Sequence, residues 1–220
     1  MRSRALLPVA ALLAASAWCV LLIAVRKHEY GTVGYPYLTW NLALAWIPLL
    51  VALVLLAAYR RGAHRLELLA VGAVWLLFLP NAPYMLTDLI HLGEQHRLFD
   101  SIVLGSFAFT ALALGFASLL IVQVVVTRLA GATLGWTVAV GSLFASSVGI
   151  YLGRVQRLNS WDIVQRPRTL WTLAKLRLDD PFGNRYLIGF VLALCGFLTL
   201  AYAGVYGFTT LAAAVTRDDR

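Results

Sequence analysis

Six apolar stretches, each close to the roughly 20 residues of helix needed to cross about 30 Å of hydrocarbon, leave this chain one class of fold. They run over 5–25, 39–58, 66–80, 102–127, 133–152 and 186–211. Inside lipid every backbone N–H and C=O must be bonded within the protein, so only helices and closed barrels can span. A barrel strand alternates apolar and polar residues over about ten positions, and these stretches do not. The expected architecture is therefore all-α: a polytopic transmembrane helical bundle of about six spans, forming one integral-membrane domain over 1–220. Charge agrees. Only 13% of the residues are charged, against roughly a quarter in a soluble domain.

The formal net charge is +8. In a soluble chain that excess would suggest nucleic acid. Here the basic residues sit in short connections between apolar runs. Topology signals and anionic lipid headgroups explain them better, so the expected partner is the bilayer and not nucleic acid. Cys19 and Cys195 each lie inside an apolar run and read as small buried hydrophobes, with no disulfide or metal framework. The first run resembles a signal peptide, but it is longer than the usual 7–15 residue apolar core. Trp18 before Cys19 also argues against lipoprotein-type cleavage. The expectation is an uncleaved first span.

The third span is the shortest, and Pro80 and Pro83 break its backbone pattern. From Tyr84 a helical pattern resumes. Tyr84, Asp88, His91 and Gln95 fall on one helix face, which predicts an interfacial or re-entrant amphipathic segment after span three. A second such segment is expected after span five, beyond Pro167. There Leu170, Trp171, Ala174 and Leu178 face apolar surroundings, and Arg168, Thr172 and Lys175 form the polar side. Gly141, Ala145, Gly149 and Gly153 recur every four residues in span five, a pattern that admits close helix packing.

Counting spans places three polar motifs on the same side of the membrane. They are Trp40-Asn41 through Pro48, Leu79 to Tyr84 leading to Asp88 and His91, and Gly153-Arg154 through Asn159 to Asp162. With the N-terminus inside, eight basic residues fall on inner segments and ten on outer loops. Omitting the long fifth loop reverses that balance, so N- and C-termini are expected in the cytoplasm.

Asp88 and His91, three residues apart on a helix, could act as acid and base or ligate a metal together, with His28, Glu94, His96 and Asp100 on the same side to complete a set. The alternative is a polar cap at the water interface. Arg154 and Arg157 carry the forked guanidinium geometry suited to phosphate or carboxylate; the alternative is an internal salt bridge to Asp88 or Asp162. Trp161 suits headgroup depth. Asn159 and Ser160 adjoin it, and Ser160 has no histidine-based triad to make it a nucleophile. Asn41 and Asn81 are expected to satisfy backbone groups near breaks in helix. The candidate binding residues are thus Asn41, Asn81, Arg154, Arg157, Asn159, Trp161 and Asp162. No cofactor is named by these residues.

At these motifs the chain resembles a bacterial integral-membrane family known only as a domain of unknown function. Its pattern is Trp-Asn, then Leu-Pro-Asn-Ala-Pro-Tyr with Thr-Asp-Leu-Ile-His-Leu, then Gly-Arg with Asn-Ser-Trp-Asp. Here these are Trp40-Asn41, Leu79 to Tyr84, Thr87 to Leu92, and Gly153-Arg154 with Asn159 to Asp162. The resemblance implies a bacterial inner-membrane protein and carries no activity, cofactor or catalytic residue. The leading functional expectation is a polar site binding an anionic lipid headgroup or envelope precursor. The alternatives are a membrane-embedded, metal-dependent or metal-free enzyme acting on lipid, and a small permease. The permease is weakened by how few polar side chains, Gln123 among them, lie deep in a span.

Overall fold

The computed structural model describes residues 2–155, 168, 172, 183 and 185–218. Among these there is no strand. The helices are α1 (Arg2–Tyr30), α2 (Tyr37–Arg60), α3 (Arg65–Phe78), a short α4 (Asn81–Tyr84) continued by a 3-10 turn (Met85–His91), α5 (Arg97–Ala130), α6 (Ala132–Val155) and α7 (Arg185–Asp218). Six segments are long and apolar enough to cross a membrane: Leu7–Tyr30, Tyr37–Arg60, Arg65–His91, Arg97–Ala130, Ala132–Arg154 and Arg185–Val215. The chain is all-α and compatible with a six-span bundle, as expected. The third span runs past its proline break to His91, further than the sequence pattern predicts. The amphipathic segment expected after span five lies outside the described residues, apart from Arg168 and Thr172.

The chain divides into two compact units, Met1–Val125 and Val126–Arg220. In the first, α2 packs along α3 and α4. Its core is built from Cys19, Leu22 and Ile23 of α1, Leu38, Leu42, Ala45 and Leu49 of α2, and Val103, Leu104, Phe107, Ala111 and Leu114 of α5. These recur at three- and four-residue spacings, so each helix turns one stripe inward. Their outer faces keep large apolar side chains exposed, Leu53, Leu69 and Phe109 among them. In a soluble protein such a surface would be a liability; against acyl chains it is the stable arrangement.

Polar side chains in the spans tie helices together. Trp46 Nε1 donates to Ser16 Oγ at 3.1 Å, and Ser16 Oγ donates on to the Leu12 carbonyl at 2.9 Å. Trp75 Nε1 donates to Ser118 Oγ at 3.2 Å, and Ser118 Oγ donates to the Gly115 carbonyl at 2.7 Å. Each indole is satisfied by a serine on the neighbouring helix, which is satisfied in turn by its own backbone. Such bonds average about 0.6 kcal/mol in a membrane.

In the second unit α6 packs along α7. Aromatic clusters pin both ends of the pair: Trp136 lies edge-on to Tyr206 at 4.9 Å, and Tyr151 lies 5.9 Å from Phe190. The buried side of α6 is Ala139, Ser142, Leu143, Ser146, Ser147 and Ile150. Gly141 and Ala145 of the small-residue stripe are exposed instead, and a Cβ at Gly141 would meet nothing within 4 Å. Neither residue serves the close internal contact that the spacing predicts.

Candidate functional site

At one end of the first unit, where α1 finishes, α2 begins, the 3-10 turn lies and α5 begins, polar groups are buried together. Arg26 is near the end of α1 and Asp100 near the start of α5. Their side chains form a two-pronged ion pair: Nε donates to Oδ1 at 2.8 Å and Nη2 to Oδ2 at 3.0 Å. Both residues are buried, at 7% and 1% exposure. Removing two charges from water is costly unless every remaining donor is used. Here the third nitrogen, Nη1, donates to the carbonyl and hydroxyl oxygens of Thr32, both at 3.1 Å. The Tyr35 hydroxyl donates to Asp100 Oδ2 at 3.0 Å. Its ring also lies beneath the guanidinium, with the carbon 5.1 Å from the centroid. Gly34 closes the cage. Its φ is +72, and a Cβ there would lie 2.2 Å from Nη1 of Arg26, so glycine is required both by backbone angle and by space. Burial first, then the bond to Asp100, pushes the Tyr35 phenol above its ordinary value. It therefore stays neutral and donating at physiological pH.

The broken third span supplies the next layer. The Ala82 amide turns back to the Leu79 carbonyl, so the Phe78 carbonyl loses its usual helical partner. Asn81 Nδ2 takes that place, donating to the Phe78 carbonyl at 3.0 Å. This is the expected chemistry of an amide beside a proline break. The segment then tightens into the 3-10 turn, and Asp88 points inward, 1% exposed. Asn41 Nδ2 donates to Asp88 Oδ2 at 3.4 Å. Two of the three polar motifs thus meet in this unit.

Imidazoles form the rim. His91 is exposed and lies edge-on to Tyr37, centroids 5.9 Å apart, while its carbonyl lies 3.4 Å from the Tyr35 hydroxyl, an alternative acceptor to Asp100. His96 has a left-handed backbone, φ 57, and its ring stacks on Tyr30 at 3.7 Å. Trp40, in the first turn of α2, is 62% exposed. Lys27, His28, Glu29, Glu94 and Arg97 are exposed at the same end.

A family model covers residues 40–201, well over half of the chain. The chain belongs to the DUF1361 family, described as proteins of unknown function. The match opens at Trp40 and takes in Asn41, Asn81, Asp88, His91, Asp100 and Arg154; Arg26 and Tyr35 precede it. No curated protein and no solved structure matches the chain.

The predicted stripe of Tyr84, Asp88, His91 and Gln95 is divided. The helix ends at His91, so Gln95 is not part of it. Asp88 is buried, and His91, the last residue of the 3-10 turn, is exposed. Asp100, foreseen as a spare ligand, is taken up by Arg26. Among the described residues no three His, Cys, Asp or Glu side chains gather as a metal set. Arg154 is half-buried near the end of α6. Arg157, Asn159, Trp161 and Asp162 lie outside the described residues. Sequence reading missed Arg26, treated only as a topology charge, and Tyr35. The available signal was a lone arginine within helical reach of an apolar run, followed by Tyr35 and two glycines.

Proposed function

We propose that this protein is a multi-pass protein of a bacterial inner membrane, with both termini cytoplasmic, that binds an anionic lipid headgroup or a lipid-linked envelope precursor at the polar end of its first unit. One observation carries the reading. The carboxylates of Asp88 and Asp100, which would repel an anion, are turned inward and already hold donors, while His91 and His96 are displayed outward on tyrosine rings at the end where Lys27 and Arg97 are also exposed. Stacked or edge-held imidazoles lose little freedom when they donate to a phosphate. Trp40 and the tyrosines suit the depth of the headgroups. From the sequence, Arg154, Arg157 and Trp161 form a second anion-binding element, to be tested separately.

The test is native mass spectrometry of protein extracted in mild detergent, counting retained anionic phospholipid against phosphatidylcholine. His91→Ala with His96→Ala is expected to lower anionic-lipid retention several-fold at unchanged abundance, and salt is expected to weaken it in wild type. Equal retention by wild type and the double variant would defeat the proposal.

The burial of Asp88 beside the Asn41 amide favours one second reading, an enzyme acting on lipid with Asp88 in acid–base work. Asp88→Asn separates it. An altered lipid profile in cells at normal protein abundance would favour the enzyme. Reduced abundance with no change in profile would make Asp88 a structural group.

A further inference from the structure

The α2–α3 turn, at the opposite end of α2 from the buried polar layer, is a rigid cationic corner set at the edge of an apolar surface. Its backbone leaves little to chance. The Gly62 amide donates to the Tyr59 carbonyl at 3.1 Å and the Ala63 amide to the Ala58 carbonyl at 3.0 Å, with Gly62 at φ +74. That is the paired-bond closure of a helix C-terminus. His64 then caps α3, its Nδ1 accepting the Leu66 amide at 3.3 Å. The last carbonyls of α2 are therefore satisfied by backbone, and the arginines of the turn are not needed to cap them.

Three arginines occupy this corner: Arg60, Arg61 and Arg65, all exposed. Arg61 pairs with Glu67. Among the described residues Arg60 and Arg65 make no ion pair, so the corner carries an excess of two positive charges. Arg65 is also the first residue of α3, where the positive end of the helix dipole opposes a cation. An anion bound here would relieve both costs. Following Arg65 in α3, Leu66 and Leu69 are 70% and 68% exposed, with the Arg61-paired Glu67 between them. They lie three apart on one face, with Leu50 and Val54 exposed on neighbouring α2. Cation beside apolar strip fits a phosphate that has acyl chains attached, and fits free phosphate poorly.

We infer that Arg60 and Arg65 hold the phosphate of an anionic phospholipid of the leaflet facing the α2–α3 turn, with its chains along Leu66 and Leu69. This site is independent of the histidine rim. It also places the turn at the anionic cytoplasmic surface, where basic connections accumulate.

The test is protein reconstituted in nanodiscs of mixed phosphatidylglycerol and phosphatidylcholine, reading the lipid composition of the first shell by native mass spectrometry. Wild type is expected to enrich phosphatidylglycerol. Arg60→Gln with Arg65→Gln is expected to reduce that enrichment on the order of ten-fold, the combined effect of two basic residues at an anionic surface. His91→Ala with His96→Ala is expected to leave the contribution of the turn in place, and millimolar inorganic phosphate is expected not to compete. Arg60→Lys with Arg65→Lys, which keeps charge, guards against misfolding and should retain most of the enrichment. Unchanged enrichment in the glutamine variant, or displacement by inorganic phosphate, would overturn the inference.

Discussion

Arg26 and Asp100 are the most consequential pair of residues in the first unit. Each has its charge buried and each has its other hydrogen-bonding capacity filled, by Thr32 and by Tyr35. Removing one partner strands the other, at about 3–5 kcal/mol for a buried pair. Arg26→Ala or Asp100→Ala is therefore expected to lower thermal stability in detergent sharply. The swap Arg26→Asp with Asp100→Arg should recover part of the loss, less than all of it, because Thr32 offers oxygens to a guanidinium and would face a carboxylate instead. A double-mutant cycle read by thermal unfolding checks this; a swap no better than the worse single variant would mean that the pair is not coupled. The sequence did not announce this pair. Arg26 and Asp100 are separated in sequence by the whole second span and the broken third, and only packing of α1 on α5 brings them together.

At the scale of elements, the broken third span decides the shape of the polar end. Pro80 and Pro83 and the run of apolar residues before them are legible in sequence, and so is the role of Asn81 at the break. The tightening into a 3-10 turn is not, because the spacing of Tyr84, Asp88 and His91 fits one face of an α-helix, whereas a three-residue repeat aligns only Asp88 with His91. The short α4 that leads into the turn is held against α5. A Cβ at Gly115 would lie 2.9 Å from the Cβ of Ala82, so α4 and α5 approach as closely as their backbones allow. Gly115→Val is expected to push α4 away and destabilise the unit by about 1–3 kcal/mol, the usual cost of overpacking. It should also loosen the Asn41–Asp88 contact. Thermal unfolding and hydrogen exchange of residues 81–91 would show both; a variant as stable and as protected as wild type would show that the close approach is incidental.

For the whole molecule, the proposed orientation makes a prediction that the helices alone do not settle. With the N-terminus inside, the α2–α3 turn faces the cytoplasm, and the 92–96 connection faces outward with the histidine rim. The native cysteines, Cys19 and Cys195, lie within spans, so an introduced cysteine can be read against them. Gln95→Cys is expected to react with a membrane-impermeant thiol reagent in intact cells, and Ala63→Cys only after permeabilisation. The reverse pattern would invert the protein and move the arginine corner to the opposite leaflet.

The class of fold was determined by the sequence alone. Apolar length and scarce charge admit only membrane helices, since lipid offers no hydrogen bonds to a backbone left open. The number of spans followed for the same reason, and the break in the third was written in Pro80 and Pro83. Tertiary structure decided which polar residues act together. It turned Asp88 inward and left His91 outside, joined Asn41 to Asp88, and made Arg26 the partner of Asp100. Hydrophobic length is a local property, written in consecutive residues. The pairing of charges depends on which helix faces which, set by close contacts such as Ala82 on Gly115 and Cys19 beside Thr110 at 3.4 Å, and no periodicity along one helix encodes the face of another.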